Sequence, residues 1–447
     1  MRIPKLVAAL LSLLPTPLAA QAIAPRQPPP PVVTILPVLP APAMPEPSRE
    51  TPAQAVAEDA VEYARQFAVP LEEAQRRLEA QTASVAATDA ISDKYRARLA
   101  GIAIEHRPRY HIVVSLTGPS PVAGQRVTVG TTAVPIVFRT GARVTRERVI
   151  WAMTNRQAAI RAALRTPPGM GLDPRTGEPV STIGSADARD GVNVIRQRIE
   201  AIAGVPVQVR ALDHVDVNLA VEGGARVEGV NPDDGKRYLC TTGFAVTDGT
   251  RSAITTAAHC VDDLSYRDRS GQRVALPFVA QWGWGYRDVQ INASPEPLAA
   301  TFFADTAKTR VRAVTGQRSR TSTRAGDFVC HRGERTGYSC ALVELTDFAP
   351  AGDLCGGACL PTWVTVAGPT CKGGDSGAPV FTGTTALGIV KGASYRPDGS
   401  CAFYFYMALD YLPEGWSVIR DGSDDAFSKR YSGNSGGGVS GRTPLHR

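Results

Sequence analysis

Residues 371–380, with the sequence CKGGDSGAPV, form the stretch whose residue types are best suited to chemistry. Ser376 lies between small residues, so the backbone and a bound substrate can approach each other closely. The amides of Gly374, Asp375 and Ser376 can turn toward one point, where they would stabilise a developing oxyanion. Because a serine hydroxyl is a weak nucleophile until a base removes its proton, the stretch predicts nucleophilic catalysis that needs a partner elsewhere in the chain.

His259 is the best candidate for that base. It ends the apolar run of residues 255–260, TTAAHC, and precedes a cysteine. The other histidines after residue 239 are less suitable, because His331 adjoins a cysteine in a predicted loop and His446 lies near the C-terminus. The pattern therefore predicts that His259 is the general base for Ser376.

Asp288 is the predicted acid that orients the histidine. It begins a short apolar strand and follows residues 281–286, QWGWGY, whose aromatic rings could shield its carboxylate from water. A shielded carboxylate interacts more strongly with an imidazole. Asp262 and Asp263 follow His259 too closely to reach its far ring nitrogen, and Asp305 is the second choice.

Two motifs resemble those of the chymotrypsin-like serine proteases. They are residues 256–260, TAAHC, and residues 374–379, GDSGAP, and the order of His, Asp and Ser matches that family. The order differs from that of α/β-hydrolases, and Ala378 stands where a nucleophile elbow would close with glycine. The resemblance implies an all-β double β-barrel and a serine endopeptidase that forms an acyl-enzyme, without a cofactor.

The same resemblance assigns roles to individual residues. His259 would deprotonate Ser376, and Asp288 would orient and stabilise the resulting imidazolium. The amides of Gly374 and Ser376 would form the oxyanion hole, and peptides or proteins would be the substrates.

The eight cysteines all lie between residues 240 and 401. An even count in an exported segment indicates disulfides. Zinc is the rival interpretation, but paired C-x-x-C spacing is missing and few histidines accompany the cysteines, so we expect no metal.

Residues 330–340, CHRGERTGYSC, resemble the disulfide loop of the bacterial branch that contains streptogrisins and α-lytic protease. That branch implies the pairs Cys240–Cys260, Cys330–Cys340 and Cys371–Cys401. Cys355 and Cys359 are left over and could pair with each other. Each bridge would stabilise the domain by roughly 2–4 kcal/mol.

The chain departs from the family pattern at Ala378, which replaces a second glycine, and at Lys391. Lys391 falls where the family usually has a serine near the triad aspartate. The lysine could alter the strand that holds the substrate, or it could turn out to solvent, which leaves the adjoining substrate subsites open.

His331 is a further departure, because many bacterial relatives have an arginine at this place that pairs with the aspartate before the nucleophile. Here Arg332 or Arg335 would have to neutralise Asp375 instead. A buried Asp375 without a partner would be costly.

Residues 1–22 resemble a secretory signal. Two basic residues, Arg2 and Lys5, precede the apolar run 6–14, and small residues offer cleavage sites after Ala20 or Ala22. The run is too short to span a bilayer comfortably, and two prolines, Pro15 and Pro17, come directly after it. We therefore expect Sec-type export of a protein that is secreted or periplasmic and has no membrane partner.

The charge is not concentrated. The 447 residues include 49 Lys plus Arg and 42 Asp plus Glu, a formal charge of +7, and the basic residues are interspersed. Nucleic-acid binding is therefore disfavoured. We expect a monomer of two or three domains.

The N-terminal half contains two regions of different amino-acid composition. Residues 23–52 are rich in proline and predict an extended linker. Residues 53–220 have an α+β pattern without a cluster of catalytic residue types. Predicted helices cover 56–67, 71–81, 144–164 and 193–203, and predicted strands cover 110–116, 134–139, 205–209 and 215–219.

The bacterial branch is made as a precursor whose pro-region assists folding and then inhibits the protease. Residues 71–78 and 99–105 look similar to segments of such pro-regions. The resemblance thus implies that residues 53–220 are a pro-domain that acts on the protease in cis. Release of the mature N-terminus is expected between residues 220 and 226.

Residues 221–420 predict the protease domain, since short β-type segments alternate with glycines and cysteines. Residues 421–447 are a glycine- and serine-rich tail that predicts disorder. The predicted strands are 244–246, 253–256, 273–276, 288–291, 309–314, 327–329, 341–343, 363–366, 378–381 and 386–390.

Two alternatives remain open on sequence grounds. The chain could be a binding protein that keeps the protease fold without catalysis, or a protease that processes only its own precursor. No acidic residue is obviously placed to bind a basic side chain, so a small or apolar P1 residue is favoured.

Overall fold

The computed structural model describes residues 46–422, apart from 131, 213–215, 219–224, 233–234, 268–272, 295–296 and 369. All of these lie in one unit of the chain, residues 43–447. The predicted signal, most of the predicted linker and nearly all of the predicted tail lie outside the described residues. Among the described residues we find no helix that could span a membrane.

Helices and strands alternate in the first part of the described chain. Its elements are β1 (Ser48–Glu50), α1 (Pro52–Phe67), α2 (Leu71–Ala83), α3 (Val85–Lys94), β2 (Leu99–Glu105), β3 (His111–Thr117), β4 (Gln125–Val129), β5 (Thr132–Ala142), α4 (Arg146–Asn155), α5 (Gln157–Ala162), β6 (Gly169–Asp173), β7 (Glu178–Gly184), α6 (Ser185–Ala188), α7 (Val192–Ala203), β8 (Gln208–Leu212) and β9 (Asp216–Asn218).

The second part is built from strands. They are β10 (Arg226–Val230), β11 (Arg237–Thr241), β12 (Ala245–Thr247), β13 (Ser252–Thr256), β14 (Leu264–Arg267), β15 (Arg273–Leu276), β16 (Phe278–Trp282), β17 (Val289–Ala293), β18 (Thr301–Phe303), β19 (Arg310–Ala313), β20 (Gly316–Gln317), β21 (Phe328–Gly333), β22 (Gly337–Val343), β23 (Thr346–Ala349), β24 (Val364–Ala367), β25 (Pro379–Thr382), β26 (Thr385–Tyr395), β27 (Cys401–Ala408) and β28 (Ser417–Val418). Two short 3-10 helices, Arg320–Ser322 and Leu409–Tyr411, interrupt them.

Helix α1 begins at a capping box. The Thr51 hydroxyl accepts a hydrogen bond from the Gln54 amide, and the Gln54 side chain accepts one from the Thr51 amide. Pro52 follows the cap, where a proline costs no intrahelical hydrogen bond. The helix buries Ala60 and Tyr63 in the main apolar core.

Six strands of the second part form a closed barrel. The order β26-β25-β21-β22-β24-β27 returns to β26, and every neighbouring pair is antiparallel. Apolar side chains of these strands pack into a cluster that includes Val366, Val380 and Leu387. The closed barrel leaves no free edge between its first and last strands.

Most of the remaining strands between residues 226 and 293, together with β28, form two further sheets. One has the order β11-β10-β14-β15, and the other β16-β17-β13-β12-β28. The chain changes sheets at residues 242–244, where the amides of Thr242 and Gly243 bond to Ala225 and Thr255 instead of continuing one ladder. Of the predicted double β-barrel, the described strands thus confirm one closed barrel, and the second barrel stays a prediction.

The two parts of the chain share sheets. Strand β1 pairs in parallel with β19, and β23 adds an antiparallel strand to the sheet of β6, β7 and β8. The predicted linker up to residue 52 therefore ends in a strand and a helix cap. The reason is that the Glu50 carboxylate, at the end of β1, binds the buried guanidinium of Arg312.

Most of the predicted elements are present, with shifted ends. The predicted helix 144–164 is two helices, α4 and α5, because Arg156 takes φ −111° and ends the first one. Helix α3 and strands β2, β4, β6 and β7 were not among the predicted elements.

Candidate active site

The loop between β24 and β25 holds Ser376 in a fixed conformation. Gly374 has φ +124°, which L side chains rarely adopt, so glycine is required there. The Gly374 carbonyl accepts the Thr241 hydroxyl, and the Ser376 carbonyl accepts the Thr241 amide at 2.7 Å. Strand β11 thereby fixes both residues of the predicted oxyanion hole.

His259 follows β13, and its side chain reaches the loop. Its Nε2 lies 2.8 Å from Ser376 Oγ, although the two residues are 117 positions apart. Its Nδ1 lies 2.8 Å from Asp288 Oδ2. Because a carboxylate can only accept, Nδ1 carries the proton and Nε2 is left to accept the Ser376 hydroxyl proton. The structure thus brings the predicted nucleophile, base and acid into one hydrogen-bonded chain.

Asp288 is held from several directions just before β17. Its Oδ1 accepts the His259 backbone amide at 3.2 Å, and its Oδ2 lies 3.3 Å from the Nζ atom of Lys391. Burial alone would raise the pKa of Asp288, but His259 and Lys391 outweigh burial and hold it at about 2. The carboxylate is therefore ionised at neutral pH.

Asp305, the second choice for the acid, lies elsewhere. Its carboxylate accepts the amides of Thr309 and Arg310 and the Thr309 hydroxyl, and so it caps its own turn. These hydrogen bonds outweigh burial and lower the pKa of Asp305.

Lys391 is buried, with 1% of its side chain exposed. Its ammonium lies 5.1 Å from the centre of the Trp363 ring as well as beside Asp288. The alternative in which this lysine turns out to solvent is therefore wrong, because the Asp288 carboxylate holds it inside.

Asp375 is bound by dipoles. Its carboxylate accepts the amides of Lys372 at 3.0 Å and Arg335 at 3.2 Å, and the Thr336 hydroxyl at 2.8 Å. Burial raises the pKa of Asp375 to about 6, and the three donors offset only part of that effect. Arg335 thus contributes its backbone amide.

Arg332 points in another direction from the one predicted. Its Nη1 donates to the Glu334 carboxylate at 2.8 Å, and its Nε donates to the Asp305 carbonyl. The predicted neutralisation of Asp375 by one of these two guanidinium groups is therefore replaced by hydrogen bonds to amides and a hydroxyl.

His331 is a residue whose position the sequence did not indicate. It lies in strand β21, not in a loop, and its Nε2 is 3.2 Å from the Thr336 hydroxyl that donates to Asp375. Burial, with a smaller effect of Arg332, lowers the pKa of His331 to about 3, so the ring is neutral. His331, Thr336 and Asp375 form a second chain behind the nucleophile.

Four disulfides surround these residues, and all four have the predicted pairings. The bridge Cys240–Cys260 ties β11 to the residue after His259, and Cys371–Cys401 ties the start of the nucleophile loop to β27. Cys330–Cys340 crosses the β21–β22 hairpin, and the leftover pair closes as Cys355–Cys359.

Strand β9 lies against the edge of β26 that follows Lys391. Asp216, Val217 and Asn218 pair in antiparallel register with Ser394, Ala393 and Gly392. A segment from the end of the first part of the chain is thus added as an extended strand next to the site.

Comparisons with known proteins give partial matches. No family model matches the chain. Over 174 residues it is 27% identical to streptogrisin-C from Streptomyces griseus, and this match covers 37% of the chain and 35% of that protein. The chain therefore spans about a third of the length of this curated relative.

Solved structures match over similar parts of the chain. Protease A of Thermobifida fusca is 20% identical, and the match covers 45% of this chain and 98% of that one with a TM-score of 0.34. Chymotrypsin of Cellulomonas bogoriensis is 19% identical, and the match covers 45% of this chain and 98% of that one with a TM-score of 0.33. The match with streptogrisin-C confirms the predicted resemblance to the bacterial chymotrypsin-like serine proteases.

Proposed function

We propose that the protein is a serine endopeptidase in which Ser376 is the nucleophile, His259 the general base and Asp288 the orienting acid. The observation that carries this proposal is the continuous chain from Ser376 Oγ through the imidazole to the Asp288 carboxylate, with both hydrogen bonds at 2.8 Å. Such a chain is the arrangement that activates a serine at neutral pH.

The reaction begins when His259 Nε2 takes the hydroxyl proton as Ser376 Oγ attacks the peptide carbonyl. The Asp288 carboxylate stays ionised and stabilises the imidazolium. The amides of Gly374 and Ser376 receive the negative charge of the tetrahedral intermediate. His259 then gives its proton to the leaving amine. In the second half it takes a proton from the water that attacks the acyl carbonyl, and it returns this proton to Ser376 Oγ as the acyl–oxygen bond breaks.

Residues 53–220 act as a pro-domain in cis, and residues 221–420 as the protease domain. The pairing of β9 with Gly392–Ser394 supports this role, because an extended segment placed there competes with a substrate for the same strand edge. The pairings of β1 with β19 and of β23 with β6 support a role in folding, since each joins a strand that precedes residue 220 to a strand of the proposed protease domain.

The protein is exported through residues 1–22 and acts on peptides with a small or apolar P1 residue. The four disulfides support an oxidising destination, where such bridges persist.

The test compares the full chain with its Ser376→Ala variant. The variant should lose hydrolysis of a chromogenic peptide by at least a factor of about 10⁴ and should not release its N-terminal part, whereas the parent releases a new N-terminus between residues 220 and 226. Replacement of the exposed Ser120 by alanine is the matched control and should change neither result.

Full activity of Ser376→Ala would overturn the proposal. An organophosphate label on Ser376 without hydrolysis of any added peptide would instead support a protease that acts only on its own precursor. Absence of both label and hydrolysis would support a binding protein without catalysis.

A further inference from the structure

We infer that Lys391 is a positioning residue that holds the Asp288 carboxylate in place. Through its positive charge, Lys391 also allows His259 to accept the Ser376 proton at lower pH. The inference rests on the proposed function. It starts from one contact: the ammonium of Lys391 and the imidazole of His259 share the same oxygen atom of Asp288.

The geometry leaves the carboxylate little freedom. Oδ2 receives His259 Nδ1 at 2.8 Å and Lys391 Nζ at 3.3 Å, while Oδ1 receives the His259 amide at 3.2 Å. Rotation of the carboxylate would break the ion pair and a hydrogen bond together. Lys391 therefore fixes the oxygen that orients the imidazole.

The ammonium is buried. Lys391 and Asp288 side chains are each 1% exposed, and the Trp363 ring covers the ammonium at 5.1 Å. Burial lowers the pKa of Lys391, and the ionised Asp288 carboxylate opposes this effect and favours the charged ammonium, because a buried charge is tolerated beside an opposite one.

This charge acts on the histidine. Because both groups lie near Oδ2, Lys391 Nζ is within about 6 Å of His259 Nδ1. A full positive charge at this separation disfavours imidazolium formation by an amount that corresponds to a shift of roughly one to two pH units. The imidazole consequently remains a neutral base at lower pH than it would beside Asp288 alone.

Other titratable groups near β26 do not supply a charge like that of Lys391 beside Asp288. On β27, which flanks Lys391, burial raises the pKa of Tyr404 and of Tyr406, so both phenols stay neutral. The Arg287 guanidinium, next to Asp288, lies over the Tyr286 ring. Asp375 is the group whose titration near pH 6 could be confused with that of the histidine.

The decisive measurement is the pH midpoint of the His259 imidazole resonances in the full chain, by NMR in the Ser376→Ala background. Adding Lys391→Met should raise the midpoint by about one to two pH units, whereas Lys391→Arg should leave it within about 0.3 units. Adding Asp375→Asn instead identifies any contribution of that carboxyl.

The same variants with Ser376 intact supply the second measurement. The acid limb of kcat/KM should move upward in Lys391→Met and stay in place in Lys391→Arg, while a purely structural lysine would lower activity or stability without moving the limb. Lys391→Ser serves as the neutral variant if Lys391→Met fails to fold. Unchanged midpoints in a folded neutral variant would overturn the inference.

The two proposals fail in different ways. If the parent hydrolyses no peptide, the proposed function fails, but the NMR midpoints still decide whether Lys391 acts on His259. If hydrolysis is found and the midpoints are equal, only the role of Lys391 is wrong.

Discussion

The guanidinium of Arg312 and the carboxylate of Asp59 form a buried ion pair, with Nη1 2.8 Å from Oδ1. Arg312 lies on β19 and Asp59 on α1, 253 residues earlier. The same guanidinium binds Glu50 at 2.8 Å and Glu58 at 2.9 Å. One buried cation of β19 thus binds the Glu50 carboxylate of β1 and the Glu58 and Asp59 carboxylates of α1, and α1 belongs to the proposed pro-domain.

Replacement of Arg312 by methionine should destabilise the full chain strongly. The change leaves Glu50, Glu58 and Asp59 without their shared cation, and loss of one partner of a buried pair costs about 3–5 kcal/mol. Urea denaturation of Ser376→Ala protein, which cannot cleave itself, measures the free energy of unfolding.

The control for Arg312 is the exposed ion pair between Arg96 and Asp93, whose side chains are 67% and 72% exposed. Arg96→Met should cost no more than about 1 kcal/mol. Equal losses in the two variants would show that the buried cluster does not hold the two parts of the chain together.

Because of Asp375, the free energy of unfolding should decrease as pH rises from about 4 to about 6. Its pKa is raised to about 6 in the folded protein, above the ordinary value near 4, so the folded state binds the proton more tightly. The carboxyl therefore contributes stability that is greatest below about pH 4, where both states are protonated, and that is lost as pH rises through about 6. The sign is the reverse of that for an ion-paired carboxylate.

Asp375→Asn should remove this dependence. The free energy of unfolding of the parent, relative to the variant, should fall by about 1 kcal/mol between pH 5 and pH 7. Urea denaturation at the two pH values, again in the Ser376→Ala background, measures the difference. Asp353→Asn, at a side chain that is 69% exposed, is the control and should show no such fall.

Local sequence patterns predicted those helices and strands whose own residues show the apolar pattern of the element. The strand 273–276 and the helix 193–203 are observed as Arg273–Leu276 and Val192–Ala203. A short run of apolar residues from Val274 to Leu276 marks the first, and a helical spacing of apolar residues marks the second. Helix α3 was missed because its ten residues include few large apolar side chains.

Long-range pairings had no such signal. The addition of β23 to the sheet of β6, and of β1 to β19, depends on which strand edges are left exposed after the rest has folded. We predicted these segments as parts of separate domains, because nothing in residues 48–50 or 346–349 indicates a partner strand.

The candidate site shows the same limit. His259, Asp288 and Ser376 could be selected from their types and neighbours, but the partners of Lys391 and Asp375 could not. Whether Lys391 faces solvent or Asp288 depends on the register of β26, and the hydrogen bond from Thr336 to Asp375 depends on how the β21–β22 hairpin folds over the loop. Both follow from packing between distant segments.

Gly374→Ala should lower kcat while leaving KM nearly unchanged. At φ +124° a side chain is strained, so the backbone would rotate and turn the Gly374 amide away from the proposed oxyanion position. Loss of one such donor costs about 10²–10³ in kcat, because the donor acts mainly on the charge that develops in the transition state. Steady-state kinetics with a chromogenic peptide measures both constants.

The matched control for Gly374 is Gly316→Ala in β20. Gly316 has no positive φ, and a Cβ there would meet its nearest neighbour, Thr385 Oγ1, at an ordinary 3.8 Å. This variant should keep kcat within about twofold of the parent, since it disturbs neither the nucleophile loop nor strand β11. A folded Gly374→Ala protein with parental kcat would mean that the Gly374 amide does not stabilise the oxyanion, and the donor would have to be sought elsewhere around Ser376.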